Sequence, residues 1–208
     1  MSEPRIAVLA SGNGTNLQAL LDDPVIRPWI AFVVSDRDSA VALARAEAHG
    51  VPFTIVRADA YPARSAFDDA MLEALRGAEV DHLVLAGYLR LLGPELVRAF
   101  DGRILNVHPS LLPAFPGASS VADALAWGSK VTGVTVHLVD EELDHGPIVS
   151  QEPVAIPDGD DWDALEARIH EVEHRLLPTA VRALVDGRLL VDGRRVRVLE
   201  TGAAAERS

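Results

Sequence analysis

Three side chains in this 208-residue sequence have the types and spacing to do chemistry together. Asn106 and His108 stand two residues apart in RILNVHPSLLPAFPG (103–117), and Asp144 ends the acidic run DEELD (140–144). Ile104, Leu105 and Val107 give the first stretch the character of a buried strand, and Pro109 breaks it. Side chains alternate along a strand, so 104, 106 and 108 share a face, with the amide and the imidazole about 6–7 Å apart at ~3.3 Å per residue. Ligands of open parallel sheets bind beyond the carboxyl ends of the strands, where Asn106 and His108 would line a cleft. Taken singly, each is equally well a capping asparagine and a solvated loop histidine.

Asp144 changes that balance. It follows VTVHLV, a strand on which Thr135 and His137 share a face, and it precedes Gly146-Pro147. A carboxylate beside an imidazole favours the protonated ring. An imidazolium next to a carboxamide is a pair of donors for an oxyanion, and one such donor is worth ~2.7–4 kcal/mol at a tetrahedral transition state. No covalent nucleophile accompanies them: cysteine is absent, Gly-x-Ser-x-Gly is absent, and Ser110 follows Pro109 on an expected loop. The chemistry that remains is acyl or formyl transfer onto an external nucleophile.

A second candidate is the turn Ser11-Gly12-Asn13-Gly14-Thr15-Asn16, which follows the first strand and opens a helix. Glycines allow the sharp turn, and unpaired N–H groups of the helix N-terminus suit an anion, with a phosphate monoester as the preferred ligand. Gly12-x-Gly14 and Asp36 fit a dinucleotide fingerprint in part, but Leu17 stands where its third glycine belongs, and no Walker lysine follows. A plain capped βα turn without a ligand has the same sequence. The helix segment His170-Glu171-Val172-Glu173-His174 matches H-E-x-x-H, yet both histidines project away from the apolar stripe and no third ligand follows at a suitable spacing, so no metal is expected. Glu173 lies nearer the stripe, where it could accept hydrogen bonds from ligand hydroxyls.

The elements that must position these groups alternate in the first half. Strands are expected at 5–10, 29–35, 53–56 and 80–87, and helices at 16–22, 39–50 and 63–76. RILNV adds a fifth strand. Longer, antiparallel strands follow at 131–139 and 147–156, then a helix over 161–186 with apolar Trp162, Leu165, Ile169, Val172 and Leu176 and a kink at Pro178. The fold class is α/β: an open, mostly parallel twisted sheet with helices on both faces, and antiparallel strand additions in the C-terminal half. A single domain is expected over 1–202, with halves 1–100 and 101–202 and a disordered tail at 203–208. The formal net charge of −12 disfavours nucleic acid and anionic membranes. Neither a signal peptide nor a membrane-length apolar run is seen, and the lack of cysteine suits a reducing cytoplasm.

Several segments resemble the phosphoribosylglycinamide formyltransferases of the formyltransferase superfamily: SGNGTNLQAL (11–20), LAGYLRLL (85–92), ILNVHPSLLPAFPG (104–117), TGVTVHLVDEELDHGPI (132–148) and the 168–178 helix. The resemblance covers nearly the whole chain. It implies 10-formyltetrahydrofolate as co-substrate and a glycinamide amine as nucleophile, with Asn106, His108 and Asp144 as the catalytic set. It further implies ribotide contacts at Gly14, Thr15, Asn16, His170 and Glu173, the first three on the phosphate. Folate contacts would fall on Arg64, Leu89, Arg90, Leu91, Leu92, Asn106, Asp140, Glu141, Glu142, Leu143 and Asp144, with Arg64 and Arg90 supplying positive charge. Two positions depart from the family: Ser119 replaces a usual histidine near the reaction centre, and His170 replaces a frequent glutamine. Methionyl-tRNA formyltransferases share the catalytic set but need a basic surface and a further domain. Formyltetrahydrofolate deformylases usually carry an extra N-terminal domain, and an inactive folate- or nucleotide-binding relative is the non-enzymatic alternative. The partners implied are small-molecule substrates, with no nucleic acid and no membrane; a homodimer stays open.

Overall fold

A computed structural model describes residues 3–200, so the expected tail at 203–208 lies outside the described residues. The chain divides into two compact units between Leu105 and Asn106.

The first unit alternates β1 (Ile6–Leu9), α1 (Thr15–Asp22), β2 (Ile30–Ser35), α2 (Val41–Ala48), β3 (Phe53–Ile55), α3 (Arg64–Gly77), β4 (His82–Leu85) and α4 (Pro94–Ala99). Its strands run in the order β3-β2-β1-β4, and the β1–β2, β1–β4 and β2–β3 pairs are all parallel. β1 is buried at every residue, as a strand covered on both faces must be. β3 forms the edge and leaves Phe53 and Ile55 exposed. The chain walks from β1 outward to β3 and returns to β4 on the other side of β1. That reversal makes a topological switch point at the carboxyl ends of β1 and β4, where α/β sheets bind ligands.

β5 (Ile104–His108) carries the chain across the division. The second unit continues with α5 (Ser120–Trp127), β6 (Val131–Leu138), β7 (Ile148–Ala155), α6 (Trp162–Val185), β8 (Leu189–Asp192) and β9 (Arg195–Val198). The strand order here is β5-β6-β7-β9-β8, with β6–β7 and β8–β9 antiparallel and β7–β9 parallel. The chain is therefore α/β with a mostly parallel first half and antiparallel strands toward its C-terminal end. Among the described residues no helix is long and apolar enough to cross a membrane.

The structure departs from the sequence expectations in a few places. The fourth strand is shorter than 80–87. Two helices, α4 and α5, and the β8–β9 hairpin were not expected. α4 spans six residues, too few to show a period, and Pro94 sets its first turn. The hairpin's Asp192-Gly193 is a turn signal, with Gly193 at φ 56°, flanked by the alternating Arg195-Val196-Arg197-Val198. α6 continues through Pro178, and its inner face runs through Leu165, Ile169, Val172, Leu177 and Val181; Trp162 is exposed instead of buried. The helix opens on Asp161, whose carboxylate accepts from the Ala164 N–H at 2.9 Å. Asp161→Ala removes that cap and should lower stability to urea by about 1 kcal/mol; an unchanged denaturation midpoint would show that the cap contributes nothing.

Candidate active site

In the first unit, β1 ends in the glycine turn. The first helical hydrogen bond of α1 runs from Gln18 N–H to Gly14 O at 2.9 Å, so the N–H groups of Thr15, Asn16 and Leu17 precede it. Gly14 has φ 67°, and a Cβ there would stand 2.7 Å from Ala42 Cα at the start of α2, so only glycine fits. Arg45 on α2 braces the turn: its Nε donates to Asn13 O at 2.8 Å and a terminal nitrogen donates to Gln18 Oε1 at 3.0 Å. Sequence reasoning missed this cation because it lies on the next helix.

The turn is tied to the segment after β4. Ser11 N–H donates to Gly87 O at 3.0 Å, and Ser11 Oγ accepts from Leu89 N–H at 3.0 Å. Arg64, the first residue of α3, donates to Leu91 O at 2.9 Å and approaches Leu92 O at 3.4 Å. Gly14, Thr15 and Asn16 thus share the switch point with Leu89–Leu92. Leu89 and Leu91 are exposed and Leu92 is buried. Arg90 was expected to offer its charge to an anionic ligand, yet its Nε donates at 2.7 Å to Asp36, whose side chain is fully buried. Its charge already compensates a carboxylate that could not otherwise be buried.

The second unit assembles Asn106, His108 and Asp144 around one nearly buried carboxylate. Asp144 Oδ2 accepts from Gly117 N–H at 2.7 Å and lies 3.5 Å from His108 Nδ1. Asp144 Oδ1 accepts from Asn106 Nδ2 at 3.4 Å. Side-chain exposure is 9% for Asp144 and 6% for His108, which places the group out of bulk water. Asp144 reaches this position with φ 50°, a left-handed conformation that asparagine and aspartate tolerate best among non-glycine residues. His108 Nε2 donates to Phe115 O at 2.9 Å, and Phe115 also has positive φ. The loop after β5 is therefore folded back over its own histidine.

His137 is a fourth member that sequence reasoning noted on a strand face but did not assign. It is 2% exposed on β6, beside β5. Asn106 Nδ2 donates to His137 Nε2 at 3.0 Å, and His137 Nδ1 faces Leu138 O at 2.8 Å. Those partners require the neutral ring protonated on Nδ1. Burial pushes the His137 pKa below its ordinary 6.5, which favours the same neutral form. One floor below, Thr135 Oγ1 donates to Ser110 O at 2.7 Å and accepts from Leu112 N–H and Gln151 Nε2. This buried knot fixes the 109–117 loop to β6 and β7.

Both hydrogens of the Asn106 amide are thus engaged inside the cluster, one firmly by His137 and one loosely by Asp144. The sequence expectation of an Asn106 donor pointing at an oxyanion is met only if the looser bond can be exchanged. On α6, Glu173 is 4% exposed, with His170 Nε2 3.9 Å from its Oε2, and the His170 and His174 rings stack at 5.7 Å. Among the described residues no group of three or more His, Cys, Asp or Glu side chains is placed to hold a metal ion. Ser119 precedes α5 and offers its carbonyl to Asp123 N–H. In the 140–144 loop, Asp140 accepts from Glu142 N–H at 3.0 Å, and Leu143 is 57% exposed.

The formyl transferase domain family matches residues 4–181. A phosphoribosylglycinamide formyltransferase of Mycobacterium tuberculosis H37Rv is 48% identical over 203 residues, covering 93% of this chain and 94% of the relative. One from Bacillus subtilis strain 168 is 42% identical over 184 residues, covering 87% and 94%. Among solved structures, glycinamide ribonucleotide transformylase 1 from Symbiobacterium toebii superposes with a TM-score of 0.91 at 48% identity, covering 95% of this chain and 94% of its own.

The neutral, buried His137 has a pH signature. Its folded pKa lies below the unfolded value of 6.5, so as pH falls past 6.5 the unfolded chain takes up the proton first and stability drops; above that pH the residue adds no slope. His82, also lowered by burial, acts in the same direction. Urea midpoints measured at pH 7.5 and 5.5 should fall less in His137→Gln than in the parent. An equal fall in both would contradict the assigned neutral state.

Proposed function

This chain belongs to the formyl transferase family, and we propose that it moves the formyl group of 10-formyltetrahydrofolate to the amine of 5′-phosphoribosylglycinamide, a step of purine biosynthesis. The observation that carries the reading is the sequestered Asn106–His108–Asp144 cluster in a chain that shares 42–48% identity with curated enzymes of that name. The whole of 1–202 serves this one reaction. The glycine turn, at Gly14, Thr15 and Asn16, receives the ribotide phosphate through backbone N–H groups, with the Arg45 guanidinium close behind. Glu173 accepts from ribose hydroxyls, with His170 beside it. Arg64, the Leu89–Leu92 segment and the Asp140–Asp144 loop hold the folate.

The chemistry follows from which contacts are loose. In the resting cluster two donors reach Asp144 only at long range, Asn106 Nδ2 at 3.4 Å and His108 Nδ1 at 3.5 Å. The formyl oxygen takes over these two donors. The ribotide amine attacks the formyl carbon, the carbonyl π-electrons move onto that oxygen, and Asn106 and His108 stabilise the resulting oxyanion. Asp144, relieved of the two donors but still held by Gly117 N–H, accepts the proton that the amine loses. Collapse re-forms the carbonyl and breaks its bond to folate N10, which takes up a proton on leaving. The products are the formylated ribotide and tetrahydrofolate. His137 retains the other Asn106 hydrogen throughout and so keeps the amide in the orientation the reaction needs.

The co-substrates are small molecules, no nucleic acid or membrane is required, and the place of action is the cytoplasm. A homodimer is compatible with this assignment and unnecessary to it. The test is a spectroscopic assay of folate deformylation with and without the ribotide. Turnover that depends on the ribotide is expected. Formate release without it would point to a deformylase, and tight folate binding without either product to an inactive relative. In Asp144→Asn, turnover should fall by about 10²-fold or more while the thermal midpoint stays within a few degrees. Near-normal turnover in that variant would remove Asp144 from proton transfer.

A further inference from the structure

We infer that Arg194, at the turn of the β8–β9 hairpin, is a positioning residue that holds the 140–146 loop in its folate-binding shape. The inference rests on the assignment of that loop to folate, and it concerns a hairpin that lies beyond the 4–181 segment matched by the family.

Arg194 places two donors on one residue. One terminal nitrogen meets His145 Nε2 at 3.0 Å, and the other donates to His145 O at 2.7 Å. Guanidinium has no acceptor capacity, so His145 Nε2 must supply the lone pair and Nδ1 must carry the hydrogen. That hydrogen points at Asp140 Oδ2, 2.8 Å away, while Asp140 Oδ1 accepts from Glu142 N–H. Donation therefore runs from Arg194 to His145 and from His145 to Asp140, whose carboxylate also gathers the Glu142 N–H. It links the last part of the loop to its first residue.

Asp144 lies inside the segment this chain closes, immediately before His145 and in a left-handed backbone conformation. On its other side the loop is already anchored. Gly146 packs against the Leu138 carbonyl so closely that a Cβ could not be accommodated, and Leu138 N–H donates to Pro147 O at 2.9 Å. Between these anchors Glu141, Glu142, Leu143 and His145 are all exposed, and of residues 141–145 only Asp144 turns its side chain inward. The hairpin that presents Arg194 is itself registered against β7 at Ile148–Arg195, three residues beyond His145. The planar, two-pronged guanidinium is thus preset to grip His145, a geometry that a single ammonium cannot reproduce. Exposed contacts of this kind add little to global stability, so their effect falls on the shape of the loop.

Removing the grip should lower the fraction of molecules whose loop is ready for folate, and apparent affinity falls by the same factor. In the full chain carrying Arg194→Ala, the Kd for tetrahydrofolate by calorimetry and the KM for 10-formyltetrahydrofolate should both rise roughly 5- to 10-fold. The KM for the ribotide should not move, and kcat at saturating folate should stay within about twofold, because folate binding selects the competent loop. Amide hydrogen exchange at 141–145 should accelerate while β6 and α6 keep their protection. Arg194→Lys, with one donor for the His145 carbonyl, should recover part of the affinity, and Arg197→Ala on the same hairpin should behave as the parent. Parent-like folate affinity in Arg194→Ala, or an equal rise in both KM values, overturns the inference. Calorimetry and exchange need no turnover, so a chain that fails to formylate the ribotide sinks the functional proposal while these two readouts still decide the role of Arg194.

Discussion

A carboxylate taken out of water must have its charge answered by donors, and Asp144 has few ways to meet that demand. Its side chain is 9% exposed, and Gly117 N–H, the Asn106 amide and the His108 ring converge on it. Losing those partners would leave a buried, uncompensated charge, at a cost of several kcal/mol. The surrounding structure is arranged so that this does not happen. The loop after β5 folds back to bring Gly117 into place, Phe115 O takes the far side of His108, and Thr135 with Gln151 fastens the same loop from below. Only one of the three donors is short. Two are stretched, and a cluster in which the charge is answered partly by stretched bonds can hand those bonds to a better acceptor without reorganising its frame. Preorganisation of this kind is where enzymes find most of their electrostatic advantage.

The two units contribute by different means. The first presents backbone groups. A glycine turn jammed against α2 presents helix N–H groups, and Ser11 ties that turn to the 87–92 segment at the sheet's switch point. The second works with side chains on β5, on β6 and in the loop after β6, aligned so that Asn106 and His137 meet across neighbouring strands. Strands hold such groups more tightly than loops do, which suits residues whose contacts differ by only a few tenths of an ångström. The loop residue among them, Asp144, needs external bracing. It has that bracing on both sides, from Gly117 and from the chain of contacts that begins at Arg194.

Much of this was legible in the sequence, and the legible part has a common cause. Asn106 and His108 announce themselves because polar side chains are costly at the end of an apolar strand. The alternation of the first half follows from buried strands and amphipathic helices, and the glycine turn from the conformations that only glycine adopts. What could not be read depends on backbone atoms or on distant partners. Phe115 O and Gly117 N–H have no residue signature, since every residue carries the same peptide group. His137 reads as one more polar residue on a strand until β5 is laid beside β6. Arg90 looks like a free cation until Asp36, 54 positions away in sequence, is seen to claim it. The hairpin at 189–198 carried an Asp-Gly turn signal, but its strands are four residues each, too short for alternation to stand out.

The proposed formyl transfer turns on an exchange of partners at Asp144, and a crystal structure with 10-formyltetrahydrofolate bound in the absence of ribotide observes that exchange directly. The prediction is a formyl oxygen within hydrogen-bond distance, roughly 3 Å, of both Asn106 Nδ2 and His108 Nδ1, with Asp144 drawn away from them and still held by Gly117 N–H. A formyl group seated elsewhere, with the Asn106–Asp144 and His108–Asp144 approaches unchanged, would contradict it.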